Sequence, residues 1–551
     1  MSNAVEFNSL TANDEVKVKM EPQSRMTAKP SDEEVAKYSK TRVILVIMFG
    51  ILIITMVVAA VVIIIVSPKC PVKKPPIDRE WFKGDIVYQI NARSLKDTNG
   101  DGTGDIKGIT ESLDYFKGLG VKILRLSSIY PSPNQDNDIE DFQAIDKVMG
   151  NMSDFEELIK KAHEKDLNIV LDFVPNHSSE KHKWFVDSAK KIDSDKRGWY
   201  VWQKKSNNWP SVSGGSAWEK DSTTNELYLH QFEKYKPDLN LRNDSVVEEL
   251  NKVLKFWMEK GVDGFNAIDV QFLLENNTFT DETPTGSYNG SDLKYESTDH
   301  SKTFGLSGNV DLVKKFRDTL NEASSHKLLM LDLRGTPDQI EKFAEQSDVP
   351  SFTGLLNIKT GDNIPAAVNK TVSEYLNSLK KDQWPNFAIS NDKSSVSDRL
   401  GSSLVNAMNV LLLTLPGNPS TSFGEELGVS AKMLVDWKKV EEQKKQKDSK
   451  YNVYKAAAKL REEDAFKAID FKVVHVGAQV LGYVRGNKYL VAINFDTKRA
   501  EQDNLNGISG RGKVVLDSEF KLNDEKKDVN QVQLNAGQAV VILLDSGFQY
   551  L

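Results

Sequence analysis

Residues 169–174 read Ile-Val-Leu-Asp-Phe-Val, an apolar run of strand length interrupted by a single acid. A run this short and this apolar reads as a strand buried on both faces. A helical segment at Ser153–Lys165 precedes it, and the alternation continues in both directions. Upstream, Ile86–Ile90 is followed by a helix near Ile109–Leu119, and Val121–Leu126 leads into Ser153–Lys165. Downstream, Val246–Lys260 is helical and Gly261–Phe265 (GVDGF) opens the next strand. Leu328–Leu333, Gly354–Ile358, Asn386–Ile389 and Val410–Leu415 supply four more strand candidates. Strands alternating with helices predict an α/β ectodomain built on a parallel (β/α)8 TIM barrel. A long irregular insert, about 177–240, follows the third strand. From about Asp470 the pattern changes: VVHVGAQVLGYVRGNKYLVAINF (Val473–Phe495) alternates strands with Gly and Asn turns, and Ala539–Leu544 repeats the signal. That predicts a separate C-terminal antiparallel β domain.

The N-terminal end obeys different physics. Val43–Val66 reads VILVIMFGILIITMVVAAVVIIIV, 24 residues without a charge. At ~1.5 Å per residue it spans ~36 Å, enough to cross a ~30 Å hydrocarbon core. It starts too far from the N-terminus, and is too long, for a signal peptide. The expected organisation is a polar, disordered cytoplasmic tail at 1–42, a transmembrane helix at 43–66 and a linker at 67–80. The barrel with its insert then fills 81–469 and the β domain 470–551. Basic residues flank both ends of the apolar run, so charge does not orient it. Sequons at Asn151, Asn176, Asn243, Asn276, Asn289 and Asn369, with none in 1–42, place the C-terminal part outside.

Composition narrows the function. Lysine plus arginine (72) nearly balances aspartate plus glutamate (79), for a net charge of −7. A nucleic-acid binder would need a basic excess. The one cysteine, Cys70, cannot close an intramolecular disulfide, and no cysteine-based zinc site is possible. In an oxidising compartment an odd cysteine points to a bond with another chain.

Several segments resemble the α-amylase-type glycoside hydrolases, in their oligo-glucosidase and maltase branch: Tyr88–Ile109, Asp172–Phe185 (DFVPNHSSEKHKWF), Lys236–Asn243 (KPDLNLRN), Gly261–Phe265 and Pro416–Gly428 (PGNPSTSFGEELG). The resemblance implies the barrel, the insert and the β domain. It also implies two carboxyl groups, a nucleophile and an acid/base. The nucleophile's G-F-R-x-D pattern falls on Gly264-Phe265-Asn266-Ala267-Ile268, so Asn266 stands for the arginine and Ile268 for the aspartate. An isoleucine cannot form a glycosyl ester. Neighbouring strand residues face opposite ways, so Asp269 is expected to point away from the pocket. The acid/base position falls on Asp332, the later N-H-D pattern on Ser390, Asn391 and Asp392, and a sugar-supporting aromatic on Asn137. Asp138, Asp172, His177 and Asp392 remain, and without a nucleophile they read as hydrogen-bonded packing residues.

A transmembrane helix before such a degenerate barrel resembles the heavy-chain subunits of heteromeric amino-acid transporters (rBAT-like, or the cell-surface antigen heavy chain). The resemblance implies a type II plasma-membrane glycoprotein without hydrolase activity. It implies a disulfide from Cys70 to a multi-spanning light chain that carries the amino acids. Cys70 lies four positions past Val66, so its thiol sits near the lipid headgroups and reaches only a membrane-surface partner. The insert is more like that of the rBAT-type chains. A membrane-bound α-glucosidase using Asp269 or another carboxylate is the alternative, and a pure adhesion ectodomain a third reading. The stretch Asp97–Asp105 (DTNGDGTGD) also matches the calcium loop of related glucosidases. Its implied Ca2+ ligands are the side chains of Asp97, Asn99, Asp101 and Asp105 and the carbonyl of Thr103; a solvated Asn-Gly turn is the alternative.

Overall fold

Every second residue of a barrel strand points inward. In the computed structural model that rule sorts eight parallel strands into a closed barrel. The structure describes residues 31–66, 78, 80–135, 137–286, 293–335, 337–380, 383–391, 393–430, 434–499, 501–505 and 507–551. Strands β1 (Ile86–Ile90), β2 (Val121–Leu126), β3 (Asn168–Phe173), β4 (Gly264–Ala267), β5 (Leu328–Leu333), β6 (Val349–Phe352), β7 (Asn386–Ala388) and β8 (Asn418–Ser422) pair in sequence order, and β8 closes on β1. Inside, Val87, Ile123, Val170, Met330 and Val349 form an apolar layer with Phe82 and Leu328. Two positions further along the strands stand Gln89, Arg125, Asp172, Asp332 and Ser351. The barrel is therefore dry toward its N-terminal end and polar toward its C-terminal end, where sites of this architecture sit. The alternate residues, such as Leu124, Leu171, Phe265 and Leu331, face outward into the main core shared with the helices.

Two of the eight strands differ from the sequence expectation. Gly354–Asn357 is a 3-10 turn, and β6 precedes it as Val-Pro-Ser-Phe; Pro350 argues against a strand by sequence alone. Val405–Thr414 is a helix buried on all sides, so the apolar run Val410–Leu415 carries no period that separates helix from strand. The eighth strand is Asn-Pro-Ser-Thr-Ser, with no apolar run to betray it. Polar bonds hold it instead: Asn418 Nδ2 donates to the Phe82 and Asp85 carbonyls at 2.7 and 2.6 Å, and Asn386 Nδ2 donates to Ser420 Oγ at 2.9 Å.

The insert folds as a three-stranded antiparallel sheet in which Leu227–Leu229 lies between Trp202–Gln203 and Trp218–Lys220. At the C-terminal side β9 (Lys472–Val476), β10 (Val480–Arg485), β11 (Tyr489–Asn494), β12 (Arg511–Asp517), β13 (Lys526–Asp528) and β14 (Ala539–Leu544) form an antiparallel sheet in the order β9-β10-β11-β14-β12-β13. Strand alternation gives it two apolar faces. Leu481, Tyr483, Val491, Ile493 and Val541 join the barrel's core, while Val480, Val484, Leu490, Ala492, Val540 and Ile542 build a second one. Two buried arginines, Arg485 on β10 and Arg461 on the turn Leu460–Glu462, bind carbonyls of the barrel side. Arg461 donates to the carbonyls of Gly84, Leu413, Leu415 and Gly417, and Arg485 to those of Thr414 and Ala468. Both therefore satisfy carbonyls at the end of the helix Val405–Thr414, where a cation is also favoured by the helix dipole.

The N-terminal unit, described by itself, is one helix, α1 (Asp32–Val66). Its stretch Val35–Val62 has a mean hydropathy of 3.1 and is long and apolar enough to cross a membrane. The polar residues Asp32–Arg42, expected as disordered tail, are helical. They contain no Gly or Pro, and Asp32 and Glu33 stand at the end where negative charge is favoured. Cys70 lies outside the described residues.

Candidate functional site

One guanidinium ties the polar layer together. Arg125 on β2 is buried; Nε donates to Asp172 Oδ1 at 2.7 Å and Nη2 to Asp332 Oδ2 at 3.0 Å. Asn266 Nδ2 donates to the same two carboxylates, at 3.1 and 3.4 Å. A planar fork of donors suits two acids at once. Asp172 and Asp332, the surviving barrel carboxylates, are thus held as acceptors by a residue that the sequence reading passed over. The signal was available: Arg125 is a charge at an inward position of the otherwise apolar VKILRL, whose only other charge, Lys122, faces out.

Above this layer opens a cavity of about 370 Å³. Asp172, His177, Ile268, Asp332 and Asn391 line it together with Arg125, Gln89 and Asn137. The insert supplies its far wall through Val212, Ser213, Phe232, Glu233 and Lys236. An adjoining cavity of about 340 Å³ adds Ser351, Phe352 and Ser390. The structure therefore gathers Asp172, His177, Ile268, Asp332 and Asn391 at one mouth and adds charged walls, Lys236 paired to Glu233 at 2.8 Å and Arg334 to Asp269 at 3.0 Å, of which sequence reasoning had named only Asp269.

Ile268, on which the resemblance puts the nucleophile position, lines the cavity with its hydrocarbon side chain. Its N–H donates to the Phe173 carbonyl at 3.0 Å, which keeps it in register beside β3. Asp269 corrects the sequence expectation. The strand ends at Ala267, Asp269 adopts φ +54° and ψ +26°, and alternation no longer applies, so this carboxylate also lines the cavity. Burial raises its pKa, partly offset by Arg334.

His177 is 1% exposed and burial pushes its imidazole down to about 3, with Lys236 adding to the shift. Asp138 does not line the cavity. It is fully buried and accepts from Ser132 Oγ at 2.5 Å and Asn134 Nδ2 at 2.8 Å, a packing role for the loop. Asn391 Oδ1 accepts from the amides of Lys393 and Ser394, shaping its own turn. Asp392 lies outside the described residues.

A buried acid pair on the Pro416–Gly428 segment also escaped the sequence reading. Glu426 accepts from the hydroxyls of Tyr88 and Tyr115 at 2.6 and 2.5 Å. Glu425 accepts from Val396 N–H at 2.9 Å, and burial pushes it up to about 7. Two adjacent acids inside an otherwise uncharged stretch were the only sign.

In the loop Asp97–Asp105, hard oxygens alternate as calcium chemistry requires, but their present partners are amides. Asp97 accepts from Gly100 and Gly102, Asn99 from Asp101, and Asp101 from Thr103. Asp105 caps the next helix through Gly108 and accepts from Thr98. Among the described residues no three His, Cys, Asp or Glu side chains converge as a metal site; the loop would have to redirect its oxygens to fit an ion.

The sequons separate by exposure. Asn151 is an exposed helix N-cap, and Asn243, Asn276 and Asn369 are half-buried. Asn289 is outside the described residues. Asn176 corrects the expectation of a glycan: it is 1% exposed and its amide nitrogen donates to the Phe272 carbonyl at 2.7 Å.

Comparisons agree with this geometry. Residues 89–439 match the family model of the alpha-amylase catalytic domain, and residues 15–87 match that of the solute carrier family 3 member 2 N-terminus. The amino acid transporter heavy chain SLC3A1 of Rattus norvegicus is 36% identical over 420 residues, covering 72% of this chain and 60% of that protein. An alpha-glucosidase of Culex pipiens is 34% identical over 375 residues, covering 64% of each. The chain thus spans about 60% of the length of the transporter heavy chains it matches. Among solved structures, the alpha-glucosyl transfer enzyme XgtA superposes with a TM-score of 0.75 at 24% identity, over 84% of this chain and 99% of that one; it shares the fold.

Proposed function

The chain belongs to the alpha-amylase family, and from that premise we propose that it is a non-hydrolytic heavy chain that anchors and stabilises a multi-spanning amino-acid transporter. The observation that carries this reading is a conjunction in one chain. A membrane-length helix lies within the match to the solute carrier family 3 member 2 N-terminus, ahead of an alpha-amylase-type barrel whose mouth is lined by Ile268, where the resemblance expects the nucleophile. Ile268 offers no lone pair for covalent glycosyl transfer. Asp332 accepts from Arg125 and Asn266.

In this reading the protein is a type II plasma-membrane glycoprotein with residues 1–42 in the cytoplasm and the barrel outside. Cys70 forms a disulfide with the transporter light chain at the membrane surface. Calcium at Asp97–Asp105 belongs to the same proposal: the loop turns Asp97, Asn99, Asp101 and Asp105 from their amides to the ion. A rise in the thermal midpoint on adding calcium, lost in Asp101→Asn, supports it; no change with calcium or chelator removes it.

A second reading rests on Asp269, which lines the cavity beside Ile268, and on the alpha-glucosidase relatives: a membrane-bound α-glucosidase. Assaying the purified full chain on maltose decides between the two. The heavy-chain reading expects no turnover above buffer. Turnover abolished by Asp269→Asn or Asp332→Asn establishes the glucosidase instead. Amino-acid uptake by cells that do or do not express the chain then tests the transport role, and uptake unaffected by the chain contradicts it.

A further inference from the structure

We propose that the cavity at the barrel mouth binds a small zwitterion, a molecule of amino-acid size with one ammonium and one carboxylate group. The charge of the lining points there first. Four acids and four bases face this one cavity, and the ion pairs among them run acid to base: Arg125 with Asp172 and Asp332, Lys236 with Glu233, Arg334 with Asp269. A ligand carrying both signs can enter such a lattice by exchanging partners, leaving no buried charge uncompensated. A singly charged ligand cannot.

His177 points there independently. The Asn176 amide nitrogen is committed to the Phe272 carbonyl, so its oxygen faces His177 Nδ1 at 3.0 Å and that nitrogen carries the proton. The opposite nitrogen, Nε2, is buried on a ring that lines the cavity and has no partner in hydrogen-bond geometry; the Asn137 backbone is the group set against this ring. Burial keeps the imidazole neutral at physiological pH. A buried acceptor of this kind asks for a donor. An ammonium group supplies one to Nε2 and further ones to Asp269 and Asp332, while Arg334, 55% exposed at the rim, faces the ligand's carboxylate.

The lining disfavours the neutral sugar ring as an alternative. Such rings stack on aromatic faces, yet Asn137 occupies the rim and Phe232 is the one Phe, Tyr or Trp among the lining residues. This inference rests on the cavity and not on the transporter partnership, so the two can fail separately.

The test is calorimetric titration of the full chain, purified in detergent micelles as Cys70→Ser and free of any transporter, with L-glutamine. L-glutaminamide (no carboxylate), N-acetyl-L-glutamine (no ammonium) and maltose serve as comparisons. Saturable binding of L-glutamine is expected, with each singly charged analogue weaker by about tenfold or more and maltose inert. His177→Phe and Asp269→Asn should each weaken glutamine by about tenfold. Arg334→Gln, at an exposed side chain, should do so without a change in thermal midpoint. No saturable glutamine binding up to about 10 mM overturns the proposal. So does equal binding of either analogue, or binding of maltose in its place.

Discussion

Replacing Arg125 with methionine removes the guanidinium that holds two acids inside the barrel. The arginine side chain is 9% exposed, Asp172's 6% and Asp332's 29%. Asp172 is therefore the acid that suffers, because water can reach Asp332. Asp172 retains the Asn266 amide at 3.1 Å, one neutral donor in place of a bidentate cation. Removing one partner of a buried pair costs about 3–5 kcal/mol, and the hydration open to Asp332 puts this case near the low end, at about 3 kcal/mol. Unfolding entropy of about 2.1 cal/mol/K per residue gives a unit of several hundred residues a slope on the order of 1 kcal/mol per degree. The thermal midpoint should then fall by about 3 °C. Differential scanning calorimetry on the full chain in detergent, at one fixed pH, reads this shift. Adding Asp172→Asn to Arg125→Met neutralises the stranded charge and should restore about half of the loss. A midpoint unchanged within about 1 °C, or a double variant no better than the single, refutes the role given to Arg125.

Further outcomes follow from the same geometry. Arg485→Met should destabilise by about 3–5 kcal/mol because it strands the Thr414 and Ala468 carbonyls, and Arg485→Lys should fail to rescue it, since an ammonium cannot reproduce the fork; denaturant titration measures both. Glu425, pushed up to about 7 by burial from an ordinary glutamate value of 4.5, binds its proton more tightly in the folded state. Its contribution is full below about pH 4.5 and is lost as pH rises to about 7, a span of roughly 3 kcal/mol. Glu425→Gln keeps the Oε1 acceptor for Val396, so the stability difference from wild type should swing in the variant's favour across that window; a difference independent of pH contradicts the assignment. Asn151→Gln should lower the mass of the mature protein by one glycan, whereas Asn176→Gln should leave its glycan mass unchanged on a gel.

The strands that were legible in the sequence are those buried on both faces by apolar side chains, such as Ile169–Val174 and Leu328–Leu333. The illegible ones gain their place by other means. β8 is held by Asn418 and Ser420 hydrogen bonds and β6 tolerates Pro350, so neither leaves an apolar run to read. The run Val410–Leu415 misled because a short helix buried on all sides has no polar face to mark its period. At the site, motif order placed Asp172, His177, Ile268 and Asp332 at one mouth, since barrel topology brings the C-terminal ends of its strands together. The cross-barrel partners did not follow from motif order. Arg125 reaches Asp332 from 207 residues away in the chain, and the walls at Glu233 and Lys236 come from an insert whose path no local pattern specifies. Asp269 was misplaced for a local reason: the alternation argument assumed a strand that stops two residues earlier.

The proposed heavy-chain role puts the working site at the membrane edge, at Cys70. It is tested most directly by isolating the full chain from its native membranes without reductant and identifying what is covalently attached. The heavy-chain role requires a disulfide-linked complex with a multi-spanning amino-acid transporter that resolves to the single chain on reduction and is absent in Cys70→Ser. A wild-type chain that migrates alone under non-reducing conditions, or a complex that persists in Cys70→Ser, contradicts it.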